Sequence, residues 1–270
     1  MGKILSFVVG AGLLLVSCGN EVNIGAGANW PWPWSGNAPF FAAKTFSDEV
    51  PVGTQVRIRV EAENGEVAIL GLPGAVSMKL TANLRVGSST LVDAQVGLAL
   101  LDVGVTDGVD EIFVQTLQPQ DTQGRQFLVD YTITIPIDLA VEVRQVNGLV
   151  TIEGITSPVA VNQGNGNVRL TDVAGDATAQ VANGGIDATL TLLPGGTVRL
   201  TTGNGNLDLR IPATTSAALS ALVGTGAITW NNLPLVVTVQ TNQSLTGTLG
   251  GGAGLIQLQT GNGNIDLTGF

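Results

Sequence analysis

The stretch Gly203-Asn204-Gly205-Asn206-Leu207-Asp208-Leu209 decides the fold of this chain. Its Asn-Gly pair favours a tight turn, because glycine adopts positive φ at low steric cost. The residues after the turn alternate between apolar and polar, which is typical of a β-strand with one buried face. The stretch therefore predicts a tight turn that leads directly into a half-buried strand.

The same turn recurs along the second half of the chain, which is the signature of a repeat architecture. The central glycines are Gly148, Gly166, Gly184, Gly205, Gly226 and Gly263. They are spaced by 18, 18, 21, 21 and 37 residues, and residues 63–67 hold an earlier copy. Because 37 is close to two periods, we expect one degraded copy between the last two turns. Each period then contains two short strands and two turns.

Two all-β architectures fit a repeat of this length. In a β-solenoid, equivalent residues of successive rungs stack about 4.7–4.9 Å apart. In an antiparallel β-meander, each Asn-Gly turn closes a hairpin instead. We favour a β-solenoid with rungs of 18–21 residues, because asparagines at one register gain side-chain hydrogen bonds between rungs.

The solenoid predicts columns of equivalent residues in the order of the chain. One inward column contains Val150, Val168, Ile186, Leu207, Ile228 and Ile265. A second inward column contains Ile152, Leu170, Ala188, Leu209, Trp230 and Leu267. The turn carries a ladder of Asn147, Asn165, Asn183, Asn204 and Asn262. Thr225 interrupts that ladder. Residues 40–130 are spaced less regularly, so we expect them to form longer rungs that cap the stack, and helical signals are nearly absent after residue 40.

Composition excludes several classes of function. The 270 residues carry a formal net charge of −10, whereas nucleic-acid binding requires a basic surface that displaces phosphate counterions. The chain has no histidine, which removes Ser-His-Asp and Cys-His catalysis and imidazole metal sites.

The N-terminus predicts export and lipid attachment. Residues 4–16 form an uncharged, mostly apolar run of 13 residues after Lys3, too short for the ~17–25 residues of a spanning helix. The run ends in Leu15-Val16-Ser17-Cys18, which resembles a bacterial lipobox. We therefore expect a lipoprotein signal peptide over residues 1–17, with lipidation of Cys18, the only cysteine. Several acyl chains together give a stable membrane anchor.

Residues 18–39 are predicted to be a Gly/Pro/Trp-rich tether, and residues 40–270 the solenoid domain. Within the tether, residues 30–34 read Trp-Pro-Trp-Pro-Trp, and the prolines favour an extended course. These tryptophans suit the membrane headgroup interface, stacking on sugars, or packing back onto the first rung.

One outward column of the repeat is a candidate ligand site, and it contains Thr151, Arg169, Asp187, Asp208, Thr229 and Asp266. Carboxylate oxygens are ligands that calcium binds readily, but the glycine spacing here differs from that of a calcium β-roll. We therefore expect a solvated surface ladder without a metal, in which Arg169 pairs with Asp187. Four other acids look like a turn: Asp102, Asp107, Asp110 and Glu111. The glycine-rich stretch 249–254 is expected to form a turn or bulge. No catalytic residue and no cofactor are predicted.

Residues 55–270 resemble the bacterial putative adhesin family of β-strand-repeat proteins of unknown function. The resemblance rests on residues 60–69, on residues 131–136 leading into 141–148, and on the recurrent Asn-Gly-x-(Ile/Val/Leu) turn. It implies a shape like that of pectate-lyase-like β-helices and a role in adhesion, and it transfers no catalytic set.

These patterns together predict a lipid-anchored, non-enzymatic protein of the bacterial cell envelope, at the outer membrane or cell surface. It would serve as an adhesin or binding scaffold, with a membrane and a glycan or surface protein as partners. One alternative is an envelope-sensing or structural lipoprotein without an external ligand. The other alternative is a glycan-active β-helix enzyme, which requires two positioned carboxylates or a base beside metal-binding acids.

Overall fold

The computed structural model describes residues 23–26 and 38–270, and the described chain is mostly β-strand. One α-helix, α1, spans Leu91–Ala99. The strands in chain order are β1 Asn23–Ala26, β2 Phe40–Pro51, β3 Arg57–Leu72, β4 Ser77–Ser88, β5 Asp102–Asp107, β6 Glu111–Leu117, β7 Gln126–Pro136, β8 Ala140–Glu153, β9 Val159–Asn165, β10 Val168–Ala174, β11 Ala177–Asn183, β12 Ile186–Thr191, β13 Thr197–Asn204, β14 Leu207–Ile211, β15 Ala217–Thr225, β16 Ile228–Asn231, β17 Leu235–Gln240, β18 Ser244–Leu249, β19 Gly254–Asn262 and β20 Ile265–Gly269.

The strands form two runs of hydrogen-bonded neighbours, which we call sheet I and sheet II. Sheet I has the order β1-β2-β4-β7-β3-β8-β10-β12-β14-β20-β16. Sheet II has the order β5-β6-β3-β8-β9-β11-β13-β19-β15-β18-β17. The long strands β3 and β8 pass through the turn at Gly65 and Gly148 and belong to both sheets.

Strands β8 to β14 form the regular rungs. On sheet I, Val168 lies opposite Val150 on one side and Ile186 on the other, and all three strands are parallel. Parallel pairing of residues one period apart is what a solenoid requires, whereas a meander pairs consecutive strands antiparallel. The β-solenoid prediction is therefore confirmed, and the meander is wrong for these rungs.

An aliphatic core lies between the sheets. Alternate residues of each rung point inward and are buried, such as Val159 and Val161 on β9 and Val168 and Leu170 on β10. Burying a side chain of this size stabilises a fold by about 1.5–3 kcal/mol. The residues that alternate with them point outward and are not needed for the core.

The last two rungs stack in the reverse of their order in the chain. Strand β19 lies between β13 and β15, and β20 lies between β14 and β16. Ile265 is therefore the neighbour of Leu207, and Ile228 ends the column. The predicted order, with Ile228 before Ile265 and Trp230 before Leu267, is wrong. Every residue of the two predicted columns nevertheless packs on the core, with Ile228 and Trp230 only partly buried.

The asparagine ladder gives a physical reason for this inserted rung. The rung of β15 and β16 carries Thr225 where other rungs carry asparagine, so it cannot pass an amide–amide bond to a further rung. As the last rung of the ladder, the rung of β15 and β16 has no further rung to bond. The spacing of 37 residues is not a degraded rung, because β17 and β18 form an antiparallel hairpin that extends sheet II beyond β15. The glycine-rich turn expected over residues 249–254 leads from β18 into β19.

The N-terminal end of the stack differs from the longer rungs that we expected. Strands β2, β4 and β7 are long but pair antiparallel, and β7 then joins β3 in parallel. Helix α1 follows β4, and the Thr90 hydroxyl caps it by accepting a hydrogen bond from the Asp93 N–H at 3.2 Å. This helix was not predicted from the sequence, because nine residues between two strands carry too short an apolar period to stand out.

The four acids expected in a turn are distributed over two strands instead. Asp102 and Asp107 lie on β5, Glu111 begins β6, and only Asp110 belongs to the turn between them. Only Val103 and Val105 are apolar in 102–107, so the alternation is very short. This is why the segment lacked a strand signal.

The two glycines of the Gly-Asn-Gly-Asn turn are both required by close approach of neighbouring rungs. A Cβ added at Gly203 would lie 2.5 Å from the carbonyl oxygen of Ala182. Gly205 has a φ of +150°, and a Cβ there would lie 2.1 Å from the carbonyl oxygen of Gly184. Any side chain at either position would push two rungs apart.

Candidate functional site

The asparagines of the turn form a continuous chain of amide–amide hydrogen bonds. Each Nδ2 donates to the Oδ1 of the rung before it at 2.7–2.9 Å, along the series Asn64, Asn147, Asn165, Asn183, Asn204 and Asn262. Asn64 extends the predicted set by one residue, and Thr225 stands at the far end of the ladder instead of interrupting it. Because these amides bond to one another, they hold the rungs in register.

Two further rows of hydrogen bonds run beside the ladder. Inside the turn, side chains donate to a glycine carbonyl of the adjacent rung, and the donors are Gln145, Gln163, Thr202 and Thr260. After the turn, side-chain oxygens accept a backbone N–H from the next rung, and the acceptors are Asn167, Asn206 and Asn264. These side-chain groups thus serve the fold, whereas the buried Oε1 atoms of Gln145 and Gln163 accept no hydrogen bond from the residues that the structure describes.

We call the outward row of Arg169, Asp187, Asp208 and Asp266 on sheet I the charged face. The structure brings these four residues together on the consecutive strands β10, β12, β14 and β20. The inserted rung places Asp266 directly beside Asp208, so three carboxylates stack without interruption. The Thr229 hydroxyl, on the last strand, donates a hydrogen bond to Asp266.

Arginines offset part of the repulsion on the charged face. Arg169 Nε lies 3.8 Å from Asp187 Oδ2, and Arg210 Nη1 donates to Asp187 Oδ1 at 3.1 Å. Arg210 was not predicted as a partner. Burial raises the pKa of the Asp208 carboxyl, and the neighbouring carboxylates of Asp266 and Asp187 raise it further. Asp208 is therefore the electrostatically strained member of the row.

The three carboxylates of the charged face are the same chemical group on neighbouring rungs, although their partners differ. Within residues 23–26 and 38–270, no three His, Cys, Asp or Glu side chains are grouped so as to hold a metal ion. A catalytic site requires separate groups as acid, base or nucleophile, and each carboxylate here occupies the same position of the repeat. The arrangement fits a solvated, self-paired surface.

Sheet II carries a second outward row, which we call the amide face. It contains Gln115, Glu61, Arg144, Asn162, Gln180, Thr201 and Gln259, in register on β6, β3, β8, β9, β11, β13 and β19. Because strands lie about 4.8 Å apart, the row presents polar side chains at that interval along the stack.

Two shallow grooves follow the amide face. One has a volume of about 510 Å³ and is lined by Glu61, Gln115, Arg144 and Asn162 among others. The second, of about 210 Å³, is lined by Glu142, Arg144, Asn162 and Gln180 among others. Arg144 and Asn162 line both grooves, so the two adjoin and together form a depression across five strands, β6, β3, β8, β9 and β11.

The charges at the N-terminal part of the amide face are paired. Arg144 Nη2 lies 2.8 Å from Glu142 Oε1, and Arg144 Nη1 lies 3.7 Å from Glu61 Oε1. Arg59 approaches Glu61 at 3.8 Å and lies 4.1 Å above the ring of Phe113. These contacts fix the end wall of the depression.

The amides further along the face have no such partners. Asn162, Gln180 and Gln259 are exposed, and no side-chain hydrogen bond joins them to any other residue that the structure describes. Each amide offers two donors and an acceptor. The row is therefore available to an external ligand, in contrast to the saturated ladder three residues away.

The sequence analysis missed the amide face, although its signal lies in the repeat. Six of its members stand three residues before a ladder asparagine: Glu61, Arg144, Asn162, Gln180, Thr201 and Gln259. Aligning the repeats and comparing that column would have shown mainly long polar or amide side chains. The other predicted site residue, Cys18, lies outside the described residues, as do the signal peptide and the tryptophans of the tether.

In the described part of the chain, no helix is long and apolar enough to cross a membrane. The sequence model described as Toastrack DUF4097 matches residues 17–268. This match confirms the family resemblance inferred from the repeats. No curated protein matches this sequence.

Several solved structures are similar to this chain at low sequence identity. One is that of a putative cell adhesion protein from Clostridium sporogenes, at 10% identity, 84% coverage of this chain, 100% of that chain and a TM-score of 0.47. Another is a putative adhesin from Bacteroides fragilis, at 12% identity, 83% and 96% coverage and a TM-score of 0.30. A third is a putative adhesin from Parabacteroides merdae, at 9% identity, 83% and 95% coverage and a TM-score of 0.25.

Proposed function

The chain belongs to the Toastrack DUF4097 family, and we propose that it is a lipid-anchored, non-enzymatic binding scaffold of the bacterial cell envelope, whose amide face holds an extended glycan. The observation that carries this proposal is the row of exposed amides without partners at Asn162, Gln180 and Gln259. An adhesive role for the protein follows from such binding.

Glycans suit this row for reasons of spacing and chemistry. The interval of about 4.8 Å between strands is close to the length of one sugar unit in an extended chain. Sugar hydroxyls donate and accept hydrogen bonds, and an amide can answer both. Each contact is weak, but contacts repeated along one polymer add up through effective concentration.

Anchoring rests on Cys18 and the apolar run before it. Replacing Cys18 with serine should release the protein from the membrane fraction and abolish incorporation of labelled fatty acid. A Cys18→Ser variant that stays membrane-bound, together with a wild type that takes up no fatty acid, would contradict the anchor. The membrane is therefore one proposed partner, and the net charge of −10 argues against nucleic acid as another.

A glycan array tests the binding role. The lipidated protein in detergent should bind at least one class of glycan, and the variant Asn162→Ala/Gln180→Ala/Gln259→Ala should lose that binding. The matched control is Asp187→Asn/Asp208→Asn/Asp266→Asn on the charged face, which should bind as wild type does. Because the amides are uncharged, binding should persist at 1 M salt, where ionic contacts are screened within about 3 Å.

Three outcomes would overturn the glycan-binding proposal. If no glycan binds while a surface protein is retained by the same face, the partner is a protein; if nothing binds, the chain is a structural or sensing lipoprotein. Release of shorter glycans from the array would make it an enzyme, and the charged-face variant would then locate the acids responsible.

A further inference from the structure

Helix α1 exposes an apolar stripe on the side that faces away from the protein. Val92, Val96 and Leu100 are 70%, 51% and 51% exposed. They are spaced by four residues, so they lie along one face of the helix and its C-terminal cap. A short surface helix normally turns polar residues to water, and three aligned aliphatic side chains indicate a surface that meets something apolar.

The opposite face fixes the helix in place. Ala94, Gly97 and Leu98 are buried, and α1 packs on β2 and β4. Asp93 forms an ion pair with Arg125 at 2.7 Å, which ties the first turn of the helix to the loop before β7. The exposed stripe therefore cannot fold back into the core.

The segment that connects Cys18 to the domain enters the stack at the same end as α1. Strand β1 pairs with β2, where Asn23, the residue of β1 nearest Cys18, lies opposite Ala43, and Ala26 lies opposite Phe40, whose partner at the end of β4 is Ser88. Helix α1 begins three residues after Ser88. Only residues 19–22 separate Cys18 from the first residue of β1, a length of at most about 18 Å for five residues of extended chain.

We propose that the stripe of Val92, Val96 and Leu100 contacts the lipid bilayer and sets the orientation of the anchored domain. This contact rests on the proposed lipidation of Cys18, which brings the N-terminal end of the stack to the membrane. The only charged residue of α1 is Asp93, which is already paired, so the contact is apolar and not electrostatic. The anchor supplies the effective concentration that three side chains alone would lack.

The lone cysteine makes a clean experiment possible. In the lipidated protein the sulfur of Cys18 carries the lipid, so a cysteine introduced by Val96→Cys is the only free thiol that a nitroxide label can reach. The matched control is Val236→Cys on β17. Val236 is also 70% exposed, and β17 is the last strand of sheet II, at the end of the stack opposite to α1. Each labelled protein is placed in phosphatidylcholine vesicles, and collision with a water-soluble paramagnetic reagent is compared with collision with oxygen.

The proposal expects the label at residue 96 to collide several-fold less with the water-soluble reagent, and more with oxygen, than the label at residue 236. Val92→Cys should repeat the result. Equal accessibility of the two labels in protein that floats with the vesicles would overturn the contact while leaving the anchor intact. Dipolar broadening between labels at residue 96 would also overturn it, because a second copy would then cover the stripe. Failure to float would overturn the anchor and the contact together.

Discussion

The charged face and the amide face are built on the same rungs, yet they treat their polar groups in opposite ways. On the charged face, Arg169 and Arg210 both approach Asp187 and offset part of the repulsion among the three carboxylates. On the amide face, Gln180 and Gln259 have no side-chain partner in the described part of the chain.

This difference teaches where the repeat is free to vary. The inward columns and the asparagine ladder of the turn are occupied by side chains that the neighbouring rungs require. Both faces are built on these same columns and this same turn. Outward positions contribute little to the stability of the stack. A face whose outward groups remain without partners is therefore the better candidate for a ligand, and a self-paired face is the better candidate for a solvated surface.

The largest effect should separate inward from outward positions. Ile186 is 1% exposed, so Ile186→Asp would bury a carboxylate without a partner and cost more than about 3 kcal/mol of unfolding free energy. The adjacent Asp187→Ser should cost less than about 0.5 kcal/mol. Chemical denaturation of the two variants measures both values. Similar losses would contradict the assigned register of β12.

The next effect concerns the turn glycines. Gly205→Ala should cost about 3 kcal/mol, because its Cβ meets a carbonyl oxygen of the next rung at 2.1 Å. Gly195 also has positive φ, +80°, but nothing lies within 4 Å of its Cβ, so Gly195→Ala should cost only about 1 kcal/mol. Thermal melts of the pair test whether inter-rung contact, and not φ alone, selects glycine.

A smaller difference in stability is expected between two asparagines that lie three positions apart in the repeat. Asn183 donates to Asn165 and accepts from Asn204, so Asn183→Ala should cost about 1 kcal/mol. Asn162→Ala on the amide face should change the unfolding free energy by less than about 0.5 kcal/mol. If Asn162→Ala destabilised the fold as much as Asn183→Ala, the amide face would be structural.

The smallest effect is the pH dependence of the charged face. The folded-state pKa of Asp208 is raised, so its ionised form opposes folding, and that penalty is relieved as pH falls through the raised pKa. Asp208→Asn should therefore raise the unfolding free energy at pH 7 by less than about 0.5 kcal/mol, because solvent screens a partly exposed group. The gain should vanish toward pH 3.8, the ordinary pKa of the side chain. A variant less stable than wild type at pH 7 would contradict this assignment.

Asp93 provides the opposite sign within the same molecule. Hydrogen bonds from Arg125 and Ser88 hold the pKa of Asp93 below its usual range, so its contribution to stability is present at neutral pH and lost as pH falls through the lowered pKa. Asp93→Asn should therefore lower the melting temperature at pH 7 and have less effect in strong acid. Melting curves across this pH range would measure both signs.

Much of the stack could be predicted from sequence because its determinants are local. Alternation marks the inward columns, and Asn-Gly marks the turns at Asn147, Asn165 and Asn183, where each rung pairs with the next one along the chain. The order of the last two rungs could not be predicted in this way, since it depends on which rung can end the asparagine ladder. That is a property of the assembled stack and not of any single repeat.

The functional surface was harder to predict for a related reason. Exposed polar residues such as Asn162 and Gln180 carry no period of hydrophobicity, and their alignment appears only when rungs are superposed. The pairing of Arg210 was not predicted for the same reason, because Arg210 reaches Asp187 on the adjacent strand from a different position of the repeat. Helix α1 is short and lies outside the repeat, so no neighbouring copy reinforced its signal.

The central claim is tested most directly by measuring the affinity of a glycan for the wild type and for the two face variants. The account predicts that Asn162→Ala/Gln180→Ala/Gln259→Ala weakens binding by more than about tenfold, since each lost hydrogen bond is worth about 1 kcal/mol, while the melting temperature stays near that of wild type. It predicts an unchanged affinity for Asp187→Asn/Asp208→Asn/Asp266→Asn. An affinity that falls with the charged face and survives loss of the amides would contradict the account.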